Sequence, residues 1–237
     1  MSTEATPRPA AYPARLSAQP VPTGLSPALW LVKWLLVIPH LVVLAFLWIA
    51  FAFLTFVAFV AILVTARYPR GIFEFNVGVL RWTWRVAYYS YGALGTDRYP
   101  PFTLADVPDY PTTFTVAYPE RLSRGLVLVK WWLLAIPQYV VVGLIVGPQI
   151  SYETAEGTKY AGHIGLVGIL VLVAAFALLF TSRYPRGVYD LLLGLNRWTY
   201  RVSAYVSLMT DAYPPFRLDQ GPTEAGDPLP GAHPTSP

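Results

Sequence analysis

"LWLVKWLLVIPHLVVLAFLWIAFAFLTFVAFVAILVT" occupies residues 29–65, and the way it folds decides the architecture. Its 37 residues carry one formal charge, Lys33. As one helix it would extend about 55 Å at 1.5 Å per residue, whereas the hydrocarbon core of a bilayer is only about 30 Å thick. Two readings follow. In the first, the run turns back near Trp48, an aromatic suited to a membrane–water interface, and makes a hairpin. In the second, a surface helix reaches about Pro39 and one long, tilted span follows. No Gly or Pro marks a turn at Trp48.

The second half of the chain bears on the choice, because it repeats the first. "YPARLSAQPVPTGLSPALWLVKWLLVIPH" from Tyr12 is echoed by "YPTTFTVAYPERLSRGLVLVKWWLLAIPQ" from Tyr110. "RYPRGIFEFNVGVLRWTWR" from Arg67 is echoed by "RYPRGVYDLLLGLNRWTYR" from Arg183, and "TDRYPPFTL" by "TDAYPPFRL". These ordered matches imply two homologous units, residues 12–107 and 110–218. Residues 1–11 and the Pro-rich residues 219–237 carry no periodic apolar pattern and are expected to be disordered tails. In the second unit a polar stretch, "SYETAEGTKYAGH" (residues 151–163), separates two apolar runs and suggests a transmembrane hairpin.

Charge favours the same hairpin for residues 29–65. It puts all fourteen arginines, with Lys33 and Lys130, on one side, leaving only Lys159 on the other. The expected fold is therefore an all-α integral membrane protein of two tandem repeats. Each repeat would hold a transmembrane helical hairpin and an amphipathic interfacial helix, with short extramembrane strand segments. Four spans in the plasma membrane, with both termini cytoplasmic, complete this reading. A hydrophobic content of 55% with 13% charge agrees with a membrane class. The absence of cysteine removes disulfide, thiol and Cys–metal chemistry.

After each apolar run comes RYPRG, with Arg67 and Arg70, then Arg183 and Arg186, at the expected lipid interface. In the next helix Glu74, Gly78, Arg81 and Arg85 share one face, as do Asp190, Gly194, Arg197 and Arg201. Guanidinium groups grip phosphate bidentately, so the eight arginines are candidates for lipid or partner binding. Glu74 and Asp190 are seven residues from Arg81 and Arg197, about 10 Å along the axis and too far for a good bond within one helix. Inter-repeat ion pairs are expected instead, Glu74 with Arg197 or Arg201 and Asp190 with Arg81 or Arg85. Residues 112–118 read as a short strand, with a weaker counterpart near residues 14–18, and the two are candidates to pair between units.

Enzyme signatures are scarce. His40, His163 and His233 stand alone, His40 is replaced by Gln138 in the second unit, and no metal or cofactor motif is present. The leading expectation is a non-enzymatic scaffold or accessory protein that engages anionic membrane lipids or a membrane protein partner. It would have no nucleic-acid role, and it could form a homo-oligomer. A small oligomeric transporter or channel is the first alternative, and a lipid-modifying enzyme using Glu74 and Asp190 the second. "LVKWLLVIPH", "RYPRG", "RWTWR" and "DRYPPF" resemble the hallmark segments of the domain of unknown function numbered four-three-eight-nine. That family is found mainly in actinobacterial membrane proteins, often in tandem. The resemblance implies an integral membrane protein and assigns no activity.

Overall fold

The computed structural model describes residues 11–147, 149–154, 157–163, 165–221 and 224. The chain is mostly helical, with two small antiparallel sheets. In order, the elements of the first unit are β1 (Ala14–Ala18), α1 (Trp30–Leu36), α2 (Ile38–Thr65) and α3 (Arg70–Tyr89). The second unit has β2 (Thr112–Val116), α4 (Arg124–Val129), a π-helical turn (Lys130–Leu134) and α5 (Ile136–Val146). It continues with β3 (Gln149–Thr154), β4 (Gly157–His163), α6 (Leu166–Thr181) and α7 (Arg186–Val206).

The expected turn at Trp48 does not exist. The chain breaks only at Val37, just before Pro39, and then runs as one 28-residue helix to Thr65. No Gly or Pro in residues 40–65 frees the backbone from its i→i−4 bonds. The helix stops at Ala66, which is left-handed with φ 55°. Among the described residues α2 is the one helix long and apolar enough to cross a membrane. The α4–π-turn segment and α5 qualify only as a pair bent by 45°. Four straight crossings are therefore absent among the described residues.

The second unit is the first with two insertions. "KWLLVIP" at Lys33 becomes "KWWLLAIP" at Lys130, one residue longer. The π-helical turn at that place absorbs the extra residue without ending the helix. The second insertion is the β3–β4 hairpin. The 11 residues of α5 and the 16 of α6, with Gly165 between, supply the 28 positions of α2. Gly165 lies against the Val146–Gly147 backbone so closely that a Cβ there would fall 2.1 Å from the Val146 carbonyl carbon. Both halves pack on α7, as α2 packs on α3. The polar stretch is thus looped out of a helix that then resumes.

The two units meet around a pseudo-twofold axis. Strands β1 and β2 pair antiparallel, and Leu16 lies opposite Phe114, its counterpart in the repeat. This is the self-complementary contact that twofold symmetry requires. The interfacial helices expected after RYPRG are instead central. Most of α3 from Asn76 to Tyr89 is buried, and so is most of α7 from Leu192 to Tyr205. Amphipathicity specifies a face but not its environment. Here the charged stripe turns inward, while Phe46, Ile49, Phe53, Val64, Leu144 and Phe180 project outward from α2, α5 and α6.

Candidate functional site

Each inward stripe grips backbone. Arg81 donates from Nε to the Phe114 carbonyl at 2.9 Å and from Nη1 to the Leu104 carbonyl at 3.1 Å. Its counterpart Arg197 donates from Nε to the Leu16 carbonyl at 3.1 Å. Each arginine therefore reaches the other unit's strand at the residue on the pseudo-twofold axis. From Nη1, Arg197 also binds the carbonyls of Asp219, at 2.7 Å, and Gly221. The helix glycines admit these loops. A Cβ on Gly78 would stand 2.8 Å from Leu104, and one on Gly194 would stand 2.9 Å from Leu218, the equivalent leucine.

The second pair of arginines separates the units. Arg85, 1% exposed, uses Nη2 on the carbonyls of Thr103 (2.5 Å) and Ala105 (3.1 Å). Arg201, 2% exposed, binds the Glu224 carboxylate at 2.8 Å and also Asp219. Glu224 further accepts from the Leu16 amide at 2.8 Å and lies 3.3 Å from Arg197 Nε. The electrostatics follow. Burial pulls the Arg85 pKa down, and the neighbouring Arg81 charge adds to the effect. Burial opposes the charge on Arg201 too, but Glu224 and Asp219 outweigh it and the pKa rises.

The ion pairs expected between repeats are therefore replaced. Glu74 lies on an exposed face near the start of α3, a turn and more from the buried arginines. Asp190 lies 3.7 Å from Arg186 of its own helix. The acids that meet the buried arginines come from the loops after the helices: Asp106 3.9 Å from Arg81, and Asp219 and Glu224. Two of these belong to the stretch expected to be an unstructured tail. Residues 222, 223 and 225–237 of that stretch, and residues 1–10, lie outside the described residues.

The four RYPRG arginines behave differently. Arg67, Arg70, Arg183 and Arg186 are all exposed, and Arg70 sits over the Tyr118 ring at 4.7 Å. The tyrosines between them turn inward across the repeat boundary. Tyr68 donates to the Ser207 carbonyl at 3.4 Å, and Tyr184 donates to that of Ala93. The remaining repeated residues are structural fasteners. Buried Lys33 bonds Asp97 at 2.8 Å and the Thr96 carbonyl at 2.7 Å; Lys130 bonds Asp211 at 2.7 Å and Thr210 at 3.0 Å. His40 Nδ1 accepts from the Trp82 indole at 3.1 Å, and Gln138 accepts from Trp198 at 2.7 Å. One acceptor has replaced another. No group of three or more potential metal ligands occurs among the described residues.

The family model for a domain of unknown function (DUF4389) matches residues 27–103 and 163–217, more than half of the chain. The chain belongs to this family. No curated protein and no solved structure matches it. The two DUF4389 segments fall on equivalent parts of the fold, each covering the approach to RYPRG, the central helix and the Tyr-Pro-Pro turn. The second segment begins at the end of β4, so it leaves out the π turn and most of the looped-out hairpin.

Proposed function

We propose that this DUF4389 protein is a non-enzymatic, multi-pass plasma-membrane scaffold with both termini in the cytoplasm. It engages anionic lipid headgroups, and a membrane protein held beside them, through the exposed pairs Arg67–Arg70 and Arg183–Arg186. Arg81, Arg85, Arg197 and Arg201 leave the list of headgroup ligands, because their guanidinium groups are occupied inside the protein.

One observation carries the reading: large apolar side chains are exposed along almost the whole of α1 and α2, from Leu31 to Val64, while the charged stripes face inward. An exposed apolar surface far beyond the few hundred Å² that soluble monomers tolerate points to a membrane or a partner. Arginines at the end of such a surface sit where headgroups would lie. The test is the lipid content of the purified protein, measured by native mass spectrometry, for wild type and for R67Q/R70Q/R183Q/R186Q. Anionic lipid enriched in the wild type and lost in the variant is the expected result. Equal lipid in both refutes the role given to these arginines.

A further inference from the structure

Two apolar crevices open where the units meet, related by the same pseudo-twofold axis as β1 and β2. One, of about 660 Å³, lies between α2 (Phe51, Thr55, Phe59) and the second unit's Trp131 and Leu208. The other, of about 500 Å³, lies between Val146 and Val171 of the second unit and Trp34 and Tyr91 of the first. Trp34 and Trp131 are repeat counterparts, so the crevices are the same feature twice.

Their mouths differ in charge. At the end of α2 the Ala66 carbonyl accepts from the Leu122 amide at 2.9 Å. That bond brings Arg121 and Arg124, both exposed, to the corner that holds Arg67 and Arg70. The positions equivalent to Arg121 and Arg124 in the first unit are Gly24 and Pro27. At the second mouth the counterparts of Arg67 and Arg70 are Arg183 and Arg186, and Arg186 faces Asp190 at 3.7 Å.

Depth matches a lipid. Phe59 lies about 9 Å and Thr55 about 15 Å along α2 from its last residue, Thr65, at 1.5 Å per residue. One leaflet contributes about 15 Å of hydrocarbon. A chain whose phosphate rests on Arg67 thus enters the crevice at Phe59 and extends to the level of Thr55. Resting on the lipid-facing reading above, we infer that the crevice between α2 and the π turn binds one anionic phospholipid. An acyl chain lies between Thr55, Phe59 and Trp131, and the phosphate is held by Arg67, Arg121 and Arg124. Paired N–H donors of guanidinium suit phosphate oxygens. The four arginines outnumber the neighbouring acids Glu74 and Glu120, while Asp211, which accepts from the Ser123 amide at 2.6 Å, is paired with Lys130; the surplus of positive charge selects a headgroup of net negative charge.

The test uses the full chain in detergent, offered equal amounts of phosphatidylglycerol and phosphatidylcholine with identical acyl chains, and native mass spectrometry. Wild type retains one phosphatidylglycerol, with at least tenfold less phosphatidylcholine. R67Q/R121Q/R124Q lowers that retention at least tenfold. So does Ala52→Trp, which places an indole in the crevice from an exposed wall position; an unchanged melting midpoint certifies its fold. Arg98→Gln, which removes one positive charge on the loop beyond α3, has no effect. If Ala52→Trp retains the lipid and the triple variant does not, the crevice is refuted while surface binding by arginine stands. If the triple variant retains it, the phosphate assignment is wrong. If the wild type shows no preference between the two lipids, both this inference and the lipid-facing reading fall.

Discussion

Replacing Glu224 by Gln should destabilise the protein, although the residue sits in a Pro-rich stretch that composition alone marks as dispensable. Its carboxylate accepts from Leu16 N–H and Arg201 Nη2, both at 2.8 Å, and lies 3.3 Å from Arg197 Nε. Bonds to charged groups contribute about 1.5–3 kcal/mol, against about 1 kcal/mol for neutral ones. Gln keeps the shape and loses the charge, so two guanidinium contacts each fall by about 1 kcal/mol. Full removal of a buried partner costs about 3–5 kcal/mol, but Asp219 still holds Arg201. The expected loss for Glu224→Gln is therefore about 2 kcal/mol, or about 4–8 °C in melting midpoint for a chain of this size. Thermal unfolding in detergent reads it, with the exposed Glu120→Gln as reference. A double-mutant cycle with Arg201→Gln should give a coupling of about 1 kcal/mol or more. If Glu224→Gln melts with Glu120→Gln, within about 0.5 kcal/mol of wild type, the clamp does not hold the fold and the reasoning fails.

His40→Gln should be almost silent, because Gln138 performs the same service for Trp198. His40→Leu should cost about 1–3 kcal/mol by leaving the Trp82 indole without an acceptor; equal melting of the two variants would refute this. Deleting residues 147–164, which joins Val146 to Gly165, should yield a folded protein with more helix per residue by circular dichroism. Loss of cooperative melting would show that the β3–β4 hairpin is integral rather than inserted.

Duplication was fully legible in the sequence, because the ordered phrases carry the residues that fasten each unit: Lys33 to Asp97, Lys130 to Asp211, and each tryptophan to its acceptor. Pairing of β1 with β2 was legible too, from alternation in residues 112–118 and its weaker counterpart. The hairpin at Trp48 came from analogy with the polar stretch at residues 151–163. An insertion can leave a helix and return to it without reversing the chain, and hydropathy does not register the difference. The absence of Gly and Pro around Trp48 was the better signal. The face holding Arg81 and Arg85 was read correctly as a face, but its partners were not. Backbone carbonyls leave no trace in composition, and one glutamate among prolines is invisible to an averaged disorder signal. Gly78 and Gly194 did mark the spot, since a glycine repeated on a charged helical face implies close approach by another segment.

The wiring explains why the unit occurs twice in one chain. Arg81 ends on Phe114 and Arg197 on Leu16, while Tyr68 ends on Ser207 and Tyr184 on Ala93. One unit alone would leave these buried donors without acceptors, and β1 and β2 without a partner strand, each at a cost comparable to a lost hydrogen bond. The fold is thus a twofold dimer fused into one polypeptide, and fusion frees the halves to diverge. Glu224 neutralises the arginines of the second unit, whereas Arg85 bonds only carbonyls. The π turn, which carries Trp131, and the arginines at 121 and 124 are likewise confined to the second unit. They converge on one crevice, whose twin has Gly24 and Pro27 in place of the two arginines. Glu224 serves the fold, but the arginines at 121 and 124 make no contact among the described residues that the symmetric frame needs, and their place at one crevice is what the proposed lipid site accounts for.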